Sequence, residues 1–573
     1  MLGTDFILNA LVREGADHLF MVPGGLVDPF LPAIARQPAL KPIVAAHEAG
    51  AAYMADGYAR ASGKFGVALC IGGPGLTNTV TAVATACTDG SPLLVISGES
   101  PTALEGVGRF QDGSSEALDD VSILKPVTRL STSVDNPQNL RHLLVHAMTK
   151  LRAEPNAPVH LSLPGDCLSA EITAGYEPLD PKVIHPRLLS LTAAEASLAR
   201  FHAGADHKAP VRIAVLAGAG IEHAGASAAL LQLAERWDVP VATTLRAKGV
   251  FPEDHPLALG VFGYAGTHHA RVALMDSPPD LLLVLGSGLN QRDTMFWTLR
   301  LSPAHAICVN LDALPIASNI SASSVVGDSG TYLEFVLSNA DKVGASLESS
   351  RQARRDWLQS IRSQPRLQEP ETQSSAAVPI HPARIVSDLR KALPREGILL
   401  VDSGAHRAFA GHYWEAHAPL TYISATNLAP MGWAIPAAVG VQCAQPSKKV
   451  AVITGDGCMH MHGMEVATAA RYNVPVVYVI INNRALGNIW FRARKMGTVP
   501  EQLTYLPDID WAGFARSMGA NGITVTDPAA LGKSFEAALE NGGPTVVDVK
   551  ADKKFATPVH DWAEAAAAWS YHE

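Results

Sequence analysis

The chain has 573 residues, of which 17% are charged, and its formal net charge is −9. This length exceeds what a single hydrophobic core usually organises, so we expect about three domains. Because the net charge is negative, the chain lacks the excess of basic residues that binds a phosphate backbone. This argues against a nucleic-acid partner. The 47 glycines and 39 prolines are typical of an α/β enzyme with many tight turns and not of a disordered chain.

Cysteine usage and the N-terminus bear on the cellular location. The six cysteines are scattered without a Cys-x-x-Cys pair, which predicts reduced, mostly buried thiols. Residues 1–15 have the pattern of an amphipathic helix and lack the features of a signal peptide. No apolar run reaches the roughly 18 residues that a membrane helix requires. These features predict a cytoplasmic protein without a membrane partner.

Residues 1–175 alternate short apolar runs with helical patterns, which predicts a parallel sheet flanked by helices. The clearest strands predicted there are 66–71, 92–97 and 158–163. A proline-rich stretch at 176–186 marks the first boundary.

A second α/β region is predicted at residues 187–343. Its clearest predicted strands are 211–217, 280–285 and 306–311. The stretch 345–382 is rich in charged residues, Gln and Ser, which predicts a helix followed by an exposed linker.

The third region, residues 383–551, repeats the alternation of the first, and residues 552–573 form a predicted tail. The strands predicted in this region are 397–401, 450–454, 475–481 and 545–549. The expected fold class is therefore α/β, with three domains that each hold a mainly parallel sheet between helices.

The most informative pattern is Gly455-Asp456-Gly457, followed by 24 residues and then Asn482-Asn483. A predicted helix at about residues 461–472 fills this interval, and the chain then returns along the neighbouring strand. Asp456 and Asn483 are therefore expected side by side at the carboxyl edge of the sheet, where open α/β sheets bind phosphates. Mg²⁺ prefers oxygen ligands, and Asp456, Asn483 and the backbone carbonyl of Ala485 supply three.

This pattern is similar to the signature of thiamine-diphosphate (ThDP)-dependent enzymes. Within this family, the chain resembles the branch of acetohydroxyacid (acetolactate) synthase and pyruvate oxidase. This resemblance extends over nearly the whole chain. It implies ThDP-binding folds at 1–175 (pyrimidine) and 383–551 (diphosphate) around a Rossmann-like central domain. It also implies ThDP and Mg²⁺ as cofactors, a small-molecule substrate, and a homodimer or homotetramer with active sites at the subunit interface. Gly457 and Cys458 are implied cofactor contacts.

The segment that begins at His47-Glu48-Ala49-Gly50 resembles the family segment that carries the activating glutamate, which implies Glu48 as the catalytic carboxylate. Such a carboxylate interacts with the aminopyrimidine ring and favours the tautomer that removes the thiazolium proton. On its own, a glutamate at a helix start is more often simply solvated. Three further positions resemble cofactor contacts of the family: Gly25, Pro74 and Asn78.

Two segments of the third region also resemble cofactor contacts. Met431 stands where the family places an apolar side chain between the two rings of bent ThDP, and Ala429 stands where a carbonyl accepts from the 4′-amino group. Methionine alone is more often core filling. Gly404-Ala405-His406 resembles a segment at the diphosphate, which makes His406 a candidate, although the family often has Gln in place of Ala405.

At the positions of the substrate pocket, some residues of this chain match those of the synthases and others differ. Phe110-Gln111 resembles the Phe-Gln of their active-site loop, which implies that Gln111 contacts the bound intermediate or acceptor. Asn488 and Arg492 stand where the synthases place Met and Trp. This departure argues against a standard branched-chain biosynthetic synthase, and an arginine is able to pair with an acidic acceptor.

The middle region leaves flavin binding open. Gly286-Ser287-Gly288 and Arg292-Asp293-Thr294 resemble FAD contacts, but Tyr264-Ala265-Gly266-Thr267 replaces the usual Met-His-Gly-Thr. The main hypothesis is ThDP-dependent decarboxylation of a 2-oxo acid with ligation to a carbonyl. One alternative is a decarboxylase or carbon–carbon lyase without ligation, acting on a 2-oxo acid, a 2-hydroxyacyl-CoA or a diketone. The others are an FAD-linked oxidoreductase like pyruvate oxidase and a non-catalytic ThDP-binding regulator.

Overall fold

The computed structural model describes residues 1–180, 184, 187–202, 212–299, 305–313, 323–497 and 500–559. Within these ranges, eighteen strands form three sheets of six strands each. All the strand pairs are parallel, in agreement with the predicted fold class. No helix in the described ranges has both the length and the apolar character needed to cross a bilayer.

The first sheet has the order β2-β1-β3-β4-β6-β5. Its strands are β1 (His18–Met21), β2 (Lys41–Val44), β3 (Gly66–Ile71), β4 (Leu93–Glu99), β5 (Leu130–Ser133) and β6 (Val159–Pro164). Its helices are Gly3–Arg13, Phe30–Arg36, Glu48–Ser62, Pro74–Asp89, Asp120–Leu124, Leu140–Arg152 and Gly165–Ser169. The three strands predicted in this region are confirmed to within two residues.

The middle sheet has the order β12-β11-β10-β7-β8-β9, which is the doubly wound Rossmann order read from one edge. Its strands are β7 (Ile213–Ala217), β8 (Val241–Thr243), β9 (Ala258–Val261), β10 (Leu281–Leu285), β11 (Ala306–Asn310) and β12 (Ser323–Val326). Its helices are Leu191–Leu198, Gly220–His223, Ser227–Trp237, His268–Arg271, Ser329–Ser338, Ala340–Ser349 and Arg351–Arg362, with a π-helical turn at Val272–Asp276. The predicted strand at 211–217 begins at a residue outside the described ranges.

The prediction for 345–382 is confirmed in its exposed linker, which follows residue 362 and holds only the short 3-10 helix Pro370–Ser374, but it is wrong in expecting one helix before that linker. The stretch holds the end of helix Ala340–Ser349 and the whole of helix Arg351–Arg362. Trp357, Leu358 and Ile361 of the latter helix pack into the core of the middle sheet. Apolar residues at helical spacing inside a strongly charged segment explain why it packs as a helix.

The third sheet has the order β14-β13-β15-β16-β18-β17, which repeats the order of the first. Its strands are β13 (Ile398–Val401), β14 (Tyr422–Ile423), β15 (Val450–Gly455), β16 (Val476–Asn482), β17 (Asn521–Val525) and β18 (Thr545–Lys550). Its helices are Pro382–Ala392, Ala405–Tyr413, Ala434–Ala444, Asp456–His462, Glu465–Arg471, Gly487–Met496, Trp511–Ser517 and Leu531–Glu540. Of the predicted tail, residues 560–573 lie outside the described residues.

The single helix predicted at 461–472 is wrong. Two short helices, Asp456–His462 and Glu465–Arg471, occupy the interval, and the first begins at Asp456 itself. The amide of Gly463 bonds the carbonyl of Met459, and the chain then turns into the second helix. The glycines around Asp456 hid the helix start, because glycine is more typical of turns.

A buried ion pair of the middle domain lies against the third domain. Lys248 Nζ lies 2.6 Å from one carboxylate oxygen of Glu253, and both side chains are almost fully buried. Glu253 also accepts the amide of Ala416 at 2.8 Å. Burial lowers the pKa of Lys248, but Glu253 offsets this effect.

We expect Lys248→Met to destabilise the protein by about 3–5 kcal/mol, because it leaves the carboxylate of Glu253 buried without its main cation. Denaturant unfolding followed by fluorescence measures this cost. The matched control is Arg395→Gln, which removes an exposed pair with Asp254 and should cost no more than about 1 kcal/mol. Equal costs for the two variants would contradict the expectation.

Candidate active site

The predicted metal and cofactor residues of the third domain meet at the carboxyl edge of its sheet. Strands β13, β15 and β16 are parallel neighbours, so the segments that follow them lie side by side. These segments border one cavity of about 230 Å³. The predicted site residues that line it are His406, Met431, Asp456, Gly457, Cys458, Asn483 and Ala485.

Asp456 and Asn483 face the same short loop. Asp456 is buried, and its carboxylate accepts the amide of Gly457 at 3.0 Å and the amides of Arg484 and Ala485. Asn483 Oδ1 accepts the amide of Ala485 at 3.1 Å. Burial raises the pKa of Asp456 to about 6. Its Oδ2 atom is buried and has no hydrogen-bond partner among the described residues, so this oxygen is available to a ligand.

The donor set fits a hard cation held together with a diphosphate. One carboxylate, one amide oxygen and one backbone carbonyl leave coordination positions for phosphate oxygens and water, as Mg²⁺ prefers. Among the described residues, no three His, Cys, Asp or Glu side chains cluster as a transition-metal site would require. His406 Nε2 is buried at the cavity without a partner. Burial lowers the pKa of His406 to about 3, so the ring is neutral at pH 7.

Met431 and Ala429 lie beside this cavity on one strained segment. The methyl group of Met431 lies 3.0 Å from the point where a Cβ on Gly457 would stand. Ala429 has φ of 59°, a left-handed conformation that is uncommon outside glycine. The segment is fixed downstream, where the amide of Gly432 donates to Asp402 at 2.9 Å. Strain of this kind is found where the backbone must present a group in a set direction.

A second group of predicted residues assembles in the first domain. Glu48 opens its helix and is half-buried, and Asn78 Nδ2 donates to Glu48 Oε2 at 2.9 Å. Pro74 opens the next helix after the turn that begins at Gly72. The backbone of Gln111, which has a positive φ of 58°, lies against this turn at Gly73.

The two groups do not share a cavity within one chain. In the part of the chain that the structure describes, Glu48, Asn78 and Gln111 are not among the residues lining the 230 Å³ cavity. Gly25 begins a short turn against β4, at Gly98, and lies outside that cavity as well. Within a single chain, the two groups therefore lie at separate places.

Sequence reasoning missed Asp402, which holds the cavity together. It is buried directly after β13 and accepts the amides of Ser403 and Gly432 and the hydroxyl of Thr454. Burial raises the pKa of Asp402, while these donors stabilise its charged form. The available signal was the position of Asp402 in the sequence. It directly follows a buried strand, just as Asp456 directly follows the neighbouring strand.

Glu465 was also missed, and it connects the two groups of residues. Its buried carboxylate accepts the amides of Ala46 and His47, each at 3.1 Å, directly before Glu48. The helix start that carries Glu48 is therefore fixed by a side chain from the third domain. No local pattern reveals such a contact, because the residues are more than 400 positions apart.

Comparison with known proteins agrees with this geometry. Three thiamine pyrophosphate enzyme profiles match the chain: the N-terminal TPP binding domain over residues 1–123, the central domain over 208–336 and the C-terminal TPP binding domain over 402–549. A probable acetolactate synthase large subunit of Methanocaldococcus jannaschii is 32% identical, with 98% of this chain and 93% of the relative covered.

A second relative gives the same result. The acetolactate synthase isozyme 3 large subunit of Escherichia coli K12 is 30% identical over 96% of this chain and 95% of its own length. The agreement therefore spans all three domains and not only the residues around the cavity. The chain belongs to the thiamine pyrophosphate enzyme family and is a ThDP-dependent enzyme of the acetolactate synthase large-subunit branch.

Proposed function

We propose that the chain, with ThDP and Mg²⁺, decarboxylates a 2-oxo acid and joins the remaining fragment to a carbonyl acceptor. The observation that carries this proposal is the cavity that brings Asp456 and Asn483 together at the carboxyl edge of the sheet, in a chain of this family. When bound, ThDP supplies the carbanion-type chemistry at the substrate carbonyl, and the protein supplies orientation and proton handling. We also propose a cytoplasmic location, because the six cysteines are free thiols, as expected in a reducing compartment.

Asp456, Asn483 and the Ala485 carbonyl would hold Mg²⁺ against the diphosphate. The unpartnered Oδ2 of Asp456 supports this role, since a buried carboxylate oxygen without a donor is otherwise costly. His406, Gly457 and Cys458 would contact the diphosphate from neighbouring segments.

Glu48 would hold a proton at the pyrimidine ring. Asn78 fixes one of its oxygens, and the other lies 3.5 Å from the point where a Cβ on Gly75 would stand, so the turn after β3 limits its position. A carboxyl group fixed by neighbours and able to exchange a proton is what general acid–base catalysis requires. Pro74 and Gly25 would form part of the same side of the cofactor site as Glu48.

Met431 would support the cofactor as a wedge. Its methyl group lies against Gly457 in the lining of the cavity at Asp456, which supports this role. The strained backbone at Ala429 would direct its carbonyl toward the 4′-amino group.

Acceptor choice would depend on Gln111 from one side and on Asn488 and Arg492 from the other. Arg492 is exposed and lines the cavity one helical turn from Asn488. Lys553 lines the same cavity, and its ammonium group lies over the ring of Tyr505. Two cationic side chains in the lining of one cavity favour a donor or acceptor substrate that carries a second anionic group.

The complete site would require two chains. Glu48 is half-exposed in one chain and lies outside the cavity of Asp456, which supports a homodimer or homotetramer whose active sites lie between subunits. Surface carboxylates of this kind gain function when a partner supplies the opposite wall.

A flavin-linked oxidoreductase is the second candidate, and one observation favours it. A cavity of about 430 Å³ runs between the first and middle domains past Gly286-Ser287-Gly288, Arg292 and Asp293. Its volume lies in the usual range for small-molecule sites. Purified protein that shows no visible flavin absorbance, and gains no activity from added FAD, would exclude this candidate.

The test of the main proposal is turnover of a panel of 2-oxo acids, neutral and acidic, with and without aldehyde or oxo-acid acceptors. We expect CO₂ together with a coupled product identified by mass spectrometry. CO₂ with only an aldehyde would identify a decarboxylase without ligation. No turnover of any 2-oxo acid would contradict the proposal and direct attention to 2-hydroxyacyl-CoA or diketone donors.

A further inference from the structure

Two buried carboxyl groups that the proposed reaction does not use lie behind the Gly72–Gly73 turn. Glu99 is the last residue of β4, and Asp120 is the first residue of helix Asp120–Leu124. Glu99 is 2% exposed and Asp120 is fully buried. Carboxyl groups at this depth are rare without a compensating partner, so their surroundings need an explanation.

The two carboxyl groups converge on one point. A Cβ built on Gly113 would lie 2.4 Å from Asp120 Oδ2 and 2.5 Å from Glu99 Oε2. A Cβ on Gly72 would lie 2.9 Å and 3.0 Å from the same two oxygens. Glycine at both positions leaves the space in which these carboxyl groups face each other.

The remaining hydrogen bonds attach the carboxyl groups to two active-site segments. Asp120 Oδ2 accepts the amide of Gly73 at 2.8 Å. Glu99 Oε1 accepts the amides of Ser100 and Gly113 at 2.6 and 3.2 Å. Glu99 Oε2 and Asp120 Oδ1 have no partner among the described residues.

The surroundings favour retention of a proton. Burial, together with the negative charges of Glu99, Asp119 and Asp112, raises the pKa of Asp120 to about 7, and burial also raises the pKa of Glu99. Glu105 and the Cys70 thiol also interact electrostatically with the two carboxyl groups. Two buried like charges that face the same point cannot both persist at low cost.

We propose that Glu99 and Asp120 share one proton and act as a positioning pair for the Gly72–Gly73 turn and the loop that carries Gln111. The turn that the pair holds through the amide of Gly73 lies close to two residues of the proposed site. The carbonyl of Gln111 lies 3.7 Å from the Cβ point of Gly73, and Glu48 Oε1 lies 3.5 Å from that of Gly75. The positioning role rests on the proposed function, whereas the shared proton does not.

The shared proton predicts an alkaline loss of activity. As the pH rises past about 7, the pair loses its proton, two buried carboxylates repel each other, and the turn shifts away from Glu48 and Gln111. Glu99→Gln should remove this alkaline limb from the pH profile of kcat/KM. The Gln oxygen still accepts from Ser100 and Gly113, and its amide donates permanently to Asp120.

Three variants separate positioning from mere folding. Asp120→Ala should lower kcat/KM by up to about 10²-fold, since a displacement of about 1 Å at a reacting centre has that effect. Asp120→Asn should restore most of this activity, because its amide oxygen, at the place of Oδ2, is able to accept both the amide of Gly73 and the proton that Glu99 then holds alone. Glu116→Gln, an exposed acid of the same loop, should leave both the activity and the alkaline limb unchanged.

A second readout requires no turnover. Infrared difference spectra of the full-length protein between low and high pH should contain a protonated-carboxyl band that shifts in Asp120→Asn, where Glu99 alone holds the proton, and that is lost in Glu99→Gln. Absence of this band in the wild type would overturn the pair. A band present together with an unchanged alkaline limb in Glu99→Gln would overturn its positioning role. A band present with no turnover of any 2-oxo acid would support the pair and count against the proposed function alone.

Discussion

Glu48→Gln is expected to lower turnover by about 10²–10⁴-fold, the usual contribution of a positioned acid–base group. The amide is isosteric and keeps a contact with Asn78, so the helix start and the adjacent turn should be preserved. It cannot hold a transferable proton at the pyrimidine ring. Steady-state CO₂ release from the best 2-oxo acid measures the loss, and calorimetric titration with ThDP and Mg²⁺ should give an affinity close to that of the wild type.

The matched control for this variant is Glu195→Gln, a solvent-exposed glutamate on a helix of the middle domain. Its turnover should equal that of the wild type. Unchanged turnover in Glu48→Gln would contradict the assignment of Glu48. A loss of ThDP affinity equal to the loss of turnover would assign Glu48 to binding and not to proton handling.

Asp456→Asn is the second change with a large expected effect. It removes the only carboxylate of the proposed metal site in the described structure, so the Mg²⁺-dependent affinity for ThDP should fall by more than the roughly 10–100-fold that loss of an outer-sphere partner costs. Titration of Mg²⁺ at fixed ThDP, followed by circular dichroism or calorimetry, measures the shift.

The control for the metal site is Asp508→Asn, because Asp508 is an exposed aspartate beyond the same loop. It should leave both affinities unchanged. Wild-type affinity for Mg²⁺ and ThDP in Asp456→Asn would remove Asp456 from the site. Recovery of ThDP binding in Asp456→Asn at high Mg²⁺ concentration would support a direct role in metal binding.

The sheets could be predicted from sequence because their signal is local. Strands such as Leu281–Leu285 are continuous apolar runs buried on both faces, and their alternation with helices implies parallel pairing. The meeting of the segments at Asp456 and Asn483 followed from the same rule, since consecutive parallel strands end at one edge. The break between the two helices after Asp456 was missed, because neither Gly463 nor the glycines beside Asp456 distinguish a turn from a helix.

The contacts that hold the site in place could not be predicted, because they join residues far apart in sequence. Asp402 joins three segments, and Glu465 fixes the residues before Glu48 from another domain. Glu99 and Asp120 face each other only because the intervening loop folds back on Gly72. Periodicity and local propensity carry no information about such long-range contacts between polar side chains.

The central claim is that one reaction centre combines Glu48 of one chain with the Asp456 cavity of another. Co-expression of Glu48→Gln and Asp456→Asn chains under different affinity tags, with purification of the hybrid, tests this claim most directly. Each hybrid dimer would hold one intact and one doubly altered site, so we expect about half of the wild-type turnover per dimer. A hybrid as inactive as its parents, at full cofactor saturation, would contradict a site shared between chains.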